Sequence, residues 1–177
     1  YQWKLNGVNV GINSPTYTNA ALVNGDIVTC VMTSSFACAV PTTATSNAIT
    51  MTVNPNLPVS VSIAAVPAGA ICSGTSVTFT ATPTNGGATP AYQWKLNGVN
   101  VGINSPTYTN AALVNGDLVT CVLTSNATCP TGNPATSNII TMTVNPNLPV
   151  SVSIAAVPAG AICSGTSVTF TATPTNG

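Results

Sequence analysis

The sequence predicts an all-β chain built of tandem β-sandwich domains, from its composition, its internal repeat and its strand-period alternation. Residues 1–91 hold 23 Ser or Thr and 9 Asn amid Val, Ala and Ile, while Glu and Arg are absent and Gln and Lys almost so. Val, Ile and Thr suit a pleated, half-buried strand, and the missing residues are the helix formers. The 14 Gly and 14 Pro punctuate the chain at turn spacing. Tyr1-Gln2-Trp3-Lys4-Leu5-Asn6-Gly7 returns as Tyr92-Gln93-Trp94-Lys95-Leu96-Asn97-Gly98, an offset of 91 that holds to the end of the chain. That period is too long for a solenoid repeat and suits one sandwich domain of about 100 residues.

Residues 1–86 match 92–177 at 75 of 86 positions, and eight of the 11 differences fall between Ser35 and Thr43, against Asn126 to Pro134. Clustered differences mark a loop, where packing constrains side chains least. The joint between domains is Asn54-Pro55-Asn56-Leu57-Pro58, repeated as Asn145-Pro146-Asn147-Leu148-Pro149. Its prolines stiffen the connection and stop strand pairing from running through it. The organisation expected is a partial domain at 1–57, a complete one at 58–146 and a second partial one at 147–177.

Within 58–146 the strands follow from alternation. Val59, Val61 and Ile63 alternate with Ser60 and Ser62 in the first. Val77, Phe79 and Ala81 alternate with Thr78 and Thr80 in the second, and Tyr92, Trp94 and Leu96 with Gln93 and Lys95 in the third. Asn97-Gly98 accepts the positive φ of a tight hairpin turn into Val99–Val101. Tyr108 to Leu113 gives a short strand, and Asn115-Gly116 turns into one whose Asp117, Val119, Cys121 and Leu123 share a face. Ile140, Met142 and Val144 alternate with Thr141 and Thr143 in the last. The core expected from this pattern centres on Phe79, Trp94, Val119 and Leu123, with Trp3 as the duplicate of Trp94.

Only 2% of the residues are charged: Lys4, Lys95, Asp26 and Asp117, with no His anywhere. General acid–base catalysis needs His, or an acid or Lys with a neighbour to tune it. Paired-carboxylate hydrolysis needs two acids in one site, whereas the Asp residues here stand 91 positions apart. Two Lys cannot displace the counterions that nucleic-acid binding releases. Calcium needs clustered acids, and zinc would have to be held by Cys alone. No catalytic residue, cofactor or metal is therefore expected. The most apolar stretch, Val59 to Cys72, is broken by Ser60, Ser62 and Pro67, so no membrane-spanning helix is expected. The start Tyr1-Gln2-Trp3-Lys4 is no signal peptide, and a secretion signal would lie outside this segment.

The spacing Gly74-x-x-Val77-x-Phe79-x-Ala81, then Trp94, then Leu113-x-x-x-Asp117-x-Val119-x-Cys121-x-Leu123 resembles the B, C and F strands of immunoglobulin-like domains. More closely, Cys72-Ser73-Gly74-Thr75-Ser76-Val77-Thr78-Phe79-Thr80-Ala81-Thr82 and Tyr92-Gln93-Trp94 resemble the Ig-like or PKD-like repeats of giant secreted bacterial surface proteins, which serve adhesion, gliding or matrix roles. The resemblance implies an immunoglobulin-like sandwich. It puts Ala81 and Leu123 where the family carries its inter-sheet disulfide, and Cys121 where it carries a corner Tyr.

The six cysteines, Cys30, Cys38, Cys72, Cys121, Cys129 and Cys163, come three per repeat, so they cannot all pair within a domain. In a secreted-looking chain disulfides are expected. On the family's strand order, Cys72 and Cys129 lie at opposite ends of the domain, roughly 25 Å apart and beyond disulfide reach. The resemblance therefore implies Cys72 with Cys121, leaving Cys129 for a neighbouring domain or chain; buried free thiols are the alternative. A cysteine nucleophile has no His to activate it. Strands C and F adjoin in this family, so Lys95 and Asp117 are expected to meet as a surface ion pair, or as the Lys and acid of an isopeptide crosslink. Tyr17 and Tyr108 fit corner packing better than sugar stacking, and Asn126-Ala127-Thr128 matches a glycosylation sequon.

The chain starts at a C-type strand and stops after a B-type strand, as if twice cut in the loop Gly87–Ala91. It reads either as a window on a longer array or as a polymer protomer whose 147–177 completes the 1–57 of the next copy. Zero net charge weakens the repulsion that keeps soluble proteins apart. The first functional expectation is a structural, non-catalytic repeat of an extracellular bacterial fibre or surface adhesin, partnered by copies of itself or adjacent repeats. The others are a carbohydrate- or protein-binding module using loops 35–43 and 126–134, and an accessory domain of a secreted enzyme. Neither nucleic acid nor membrane insertion is expected. Only Phe36 among those loop residues is aromatic, which counts against sugar binding.

Overall fold

The computed structural model describes all residues from Tyr1 to Gly177 and contains strands but no helix. Two compact units form, Tyr1–Pro58 with Ala127–Thr131, and Val59–Asn126 with Gly132–Gly177. The expected segments 58–146 and 147–177 thus both fall in the second unit, Pro58 and residues 127–131 excepted.

The first unit carries β1 (Gln2–Leu5), β2 (Val8–Val10), β3 (Ile27–Thr33), β4 (Thr43–Thr45), β5 (Ile49–Thr50) and β6 (Leu57–Pro58). The first five make one antiparallel sheet in the order β2-β1-β3-β4, with β5 also on β3. Trp3 stands opposite Cys30, and Leu5 opposite Val28.

The second unit begins with β7 (Ser60–Val66), β8 (Ala70–Cys72), β9 (Val77–Thr84), β10 (Ala91–Leu96), β11 (Val99–Val101), β12 (Thr107–Asn110) and β13 (Leu118–Thr124). Next, β14 (Pro130–Thr131) pairs parallel with β6 and belongs to the first unit. Then follow β15 (Ala135–Thr136), β16 (Ile140–Thr141), β17 (Thr143–Asn145), β18 (Ser151–Val157) and β19 (Thr169–Thr175). One sheet has the order β12-β9-β7, and the other β11-β10-β13-β15 with β16 also on β13. The β7 ladder stops at Val66, because Pro67 cannot donate. The chain then crosses over, and β8 pairs parallel with β17. This strand order, with the first strand divided between two partners, is an immunoglobulin-like sandwich.

Asn97 and Gly98 at φ 52° and 82° make the tight turn between β10 and β11. Inward residues of both sheets meet in one core: Val61, Ile63, Ile71, Val77, Phe79, Ala81, Trp94, Leu113, Val119, Cys121, Leu123 and Met142. Each large side chain buried there contributes about 1.5–3 kcal/mol. Trp94 and Phe79 lie with ring centroids 6.3 Å apart, and Tyr108 stacks on Trp94 at 5.9 Å. Gly102, at φ 67°, admits that tyrosine: a Cβ there would sit 3.1 Å from Cδ2 of Tyr108.

Two parts of the chain lack a second layer. The β1–β5 sheet is the one large sheet of its unit, and its inward-type residues Trp3, Val28 and Cys30 are only half-buried. The β18–β19 pair forms a sheet of just two strands. Its Ile154 and Phe170 are 73% and 68% exposed, where the identical residues Ile63 and Phe79 of β7 and β9 are 6% and 0% exposed.

Candidate functional site

The two aspartates serve the architecture. Asp117 is buried, and its carboxylate accepts hydrogen bonds from Asn97 Nδ2 at 2.8 Å and the Val114 N–H at 2.9 Å. Asn97 in turn accepts from the Leu118 N–H at 2.9 Å, so this network ties the β10–β11 turn to the start of β13. The first unit repeats it with Asn6, Asp26 and Val23, and these hydrogen bonds hold the Asp26 carboxyl below its ordinary range. The expected pairing of Lys95 with Asp117 does not form. Lys95 sits opposite Thr120 in the ladder, one residue from the inward Trp94 and so on the other face, while amide donors take both oxygens of Asp117.

All six cysteines are free thiols. Cys121 is fully buried at the centre of β13, opposite Trp94, and burial pushes its thiol up to about 11. Cys72 is exposed, since alternation along β8 turns Ile71 into the core and its neighbour outward. The expected Cys72–Cys121 bridge is absent for that reason: one thiol faces the core and the other faces water. Cys38, Cys129 and Cys163 are exposed, and Cys30 is half-buried on the open sheet. Nowhere do three of the Cys and Asp side chains converge as a metal cage.

Five of the aromatic residues, Trp3, Tyr17, Phe79, Trp94 and Tyr108, pack against one another. Trp94, Phe79, Val119 and Leu123 are all fully buried, and Trp94 Nε1 donates to the Ser105 carbonyl at 2.9 Å. Tyr108 packs on that cluster, and Tyr17 stacks on Trp3 at 5.9 Å. Trp3 differs from Trp94 in being only half-buried, because no second sheet covers it within its unit. The Asn126 side chain donates to Thr89 Oγ1 at 2.6 Å. Phe36 projects from its loop, 83% exposed.

What remains is the uncovered face of the β1–β5 sheet. One cleft of about 360 Å³ runs past Trp3, Pro15, Cys30, Met32 and Ala44. Another, of about 340 Å³, is lined by Trp3, Tyr17, Leu22, Val28, Ile49 and Met51. The equivalents of Trp3, Leu22, Val28, Cys30 and Met51 are Trp94, Leu113, Val119, Cys121 and Met142, all core residues of the second unit. In that unit β7 and β9 fill the corresponding space. The face is thus one half of a sandwich core, largely apolar, with the Cys30 thiol and the phenols of Tyr1 and Tyr17 as its titratable groups.

Sequence reasoning named Trp3 on this face, as the duplicate of Trp94, but missed the polar clamps of the sandwich. In the second unit Asn138 Oδ1 accepts from the Ile63 N–H at 2.8 Å and its Nδ2 donates to the Ile63 carbonyl at 3.1 Å. Ser125 Oγ donates to the Asn85 carbonyl at 2.7 Å. Their counterparts on the open face are Asn47 and Ser34. An Asn just before a strand gives no hint of a partner 75 residues away; only the retention of Ser-Asn at 46–47 and 137–138 beside the variable loop marked the position.

No protein-family model and no curated protein matches the chain. Among solved structures it is similar to the N-terminal four Ig domains of Dscam1 isoform 6.9, at 14% identity and a TM-score of 0.38. That likeness covers 81% of this chain and 37% of the other, so this chain spans well under half of its neighbour's length.

Proposed function

We propose that the chain is a structural, non-catalytic repeat of an extracellular fibre or surface protein of the bacterial adhesin type, whose work is to space and join β-sandwich beads. The observation that carries this reading is the repeat itself. Two copies agree at 75 of 86 positions, and both direct their aspartate and their tryptophan into architecture. A binding module draws on loop chemistry, yet the loops 35–43 and 126–134 differ most between the copies and share little besides a cysteine. The Pro-containing joints at 54–58 and 145–149 support a bead-and-spacer arrangement, since proline-rich links act as semi-rigid spacers. Negative-stain microscopy of native material tests the proposal: filaments or stalks with an axial period of about 40 Å, the length of one such domain, are expected. Dispersed compact particles that turn over a substrate or retain a soluble glycan would overturn it.

A further inference from the structure

We infer that the variable loop 126–134 is a receptor for the chain's own joint peptide, and that with the turn after β8 it fastens each joint from both sides; this gives the loop a ligand and rests on the structural-repeat reading above. The hold on the end of a joint is seen at Leu57 and Pro58. The Leu57 N–H donates to the Cys129 carbonyl at 3.0 Å, and Leu57 and Pro58 run parallel to Pro130 and Thr131. Residues 127–131 accordingly belong to the first compact unit, although β13 before them and β15 after them belong to the second. The hold on the start of a joint is seen at 145–147. The carbonyl of Asn145, opposite Cys72, accepts from the Ser73 N–H at 2.9 Å, and Asn147 Nδ2 donates to the Ser73 carbonyl at 3.2 Å.

Both joints read Asn-Pro-Asn-Leu-Pro, so the two holds combine on one peptide. Its first and third residues are fastened by the sandwich before it, as at Asn145 and Asn147. Its fourth and fifth are fastened by the sandwich after it, as at Leu57 and Pro58. The fifth is held a second time at Pro149, whose carbonyl accepts from Asn176 Nδ2 at 2.8 Å. The variable loop grips through its own backbone, by the carbonyl of Cys129 and the main chain of Pro130 and Thr131. A backbone grip survives the exchange of side chains, which is why this loop can differ between the copies at every position from 126 to 134 except its cysteine. The side chains that differ then set how firmly each joint is held.

The test is amide hydrogen exchange of the 177-residue chain, followed by NMR. Leu57 and Leu148 have the same neighbours in sequence and hence the same intrinsic rate, and Leu148, 64% exposed and outside any strand, is the reference. Leu57 is expected to exchange about tenfold more slowly than Leu148. Ser73, whose N–H meets Asn145, is expected to be slower than Ser164 by about the same factor. Replacing 127–131 by glycine is expected to bring Leu57 to the rate of Leu148 while the amides of β13 keep their protection. Replacing 126–134 by the sequence of 35–43 is expected to keep Leu57 slower than Leu148. Equal rates within either wild-type pair overturn the inference, even where the glycine variant fails to fold, and so does a glycine variant that folds and leaves Leu57 slow. Loss of protection on the exchange of loops overturns the backbone grip. A fast Leu57 beside periodic native filaments would remove the hold and leave the structural-repeat reading standing, and a slow Leu57 in native material without filaments would do the reverse.

Discussion

Cys121 shows what a single core position does. Its thiol, opposite Trp94 and shut off from water, keeps its proton up to about pH 11, against an ordinary value of 9.0. Between those values the folded chain holds a proton that the unfolded chain has released, so stability falls as pH rises through that window. Tyr92 adds to the slope in the same sense, since desolvation and the neighbouring Cys121 both push its phenol pKa above the ordinary value. Thermal denaturation followed by circular dichroism is expected to show a midpoint that declines above pH 9 and flattens partly in Cys121→Val. An unaltered slope in the variant would mean that the thiol is not shielded as described. The same burial makes Cys121 inert to thiol reagents until unfolding, whereas Cys38, Cys72, Cys129 and Cys163 react at once.

Strands and their clamps explain which parts of each repeat stand alone. Asn138→Ala leaves the N–H and carbonyl of Ile63 without their partner, at a cost of about 1–3 kcal/mol to the second unit. Asn47→Ala, the same change in the same local sequence, is expected to alter the stability of the chain by less than about 0.5 kcal/mol, because its side chain is exposed. Urea unfolding of the two variants checks the contrast. A two-stranded ribbon is marginal in water, so β18–β19 holds its packing poorly by itself. Proton NMR of the dilute chain is expected to show dispersed ring signals for Phe79 and near-random-coil signals for Phe170, although their neighbours in sequence are the same. The alternation of Val77, Phe79 and Ala81, or of Tyr92, Trp94 and Leu96, made β9 and β10 legible beforehand, since one buried face imposes a period of two. β8 was not legible, because its lone inward Ile71 establishes no period. The last strand read as one run from Ile140 to Val144; it is β16 and β17, divided at Met142, whose N–H donates to the Asp117 carbonyl at 2.8 Å. Partners for Asp117 and Asn138 depend on which loops the fold brings together, and neither alternation nor spacing records that.

At the scale of the whole molecule, the assembly proposed above would rely on apolar faces and backbone edges. With two Lys against two Asp, all engaged locally or dispersed, no charged patch is available to steer or hold a partner. Association is therefore expected to change little between about 50 and 500 mM sodium chloride, a range over which screening would abolish a contact between exposed charges. Sedimentation velocity at both ends of that range checks it, and dissociation at high salt would point to an ionic joint that the structure does not show. Sulfate is expected to strengthen association, since it favours burial of apolar surface. Hairpins 60–84 and 151–175 are identical in sequence, yet Phe79 is fully buried and Phe170 is 68% exposed. The same words carry opposite meanings in the two places, and company is what separates them: such a hairpin becomes interior only where a sheet lies beneath it.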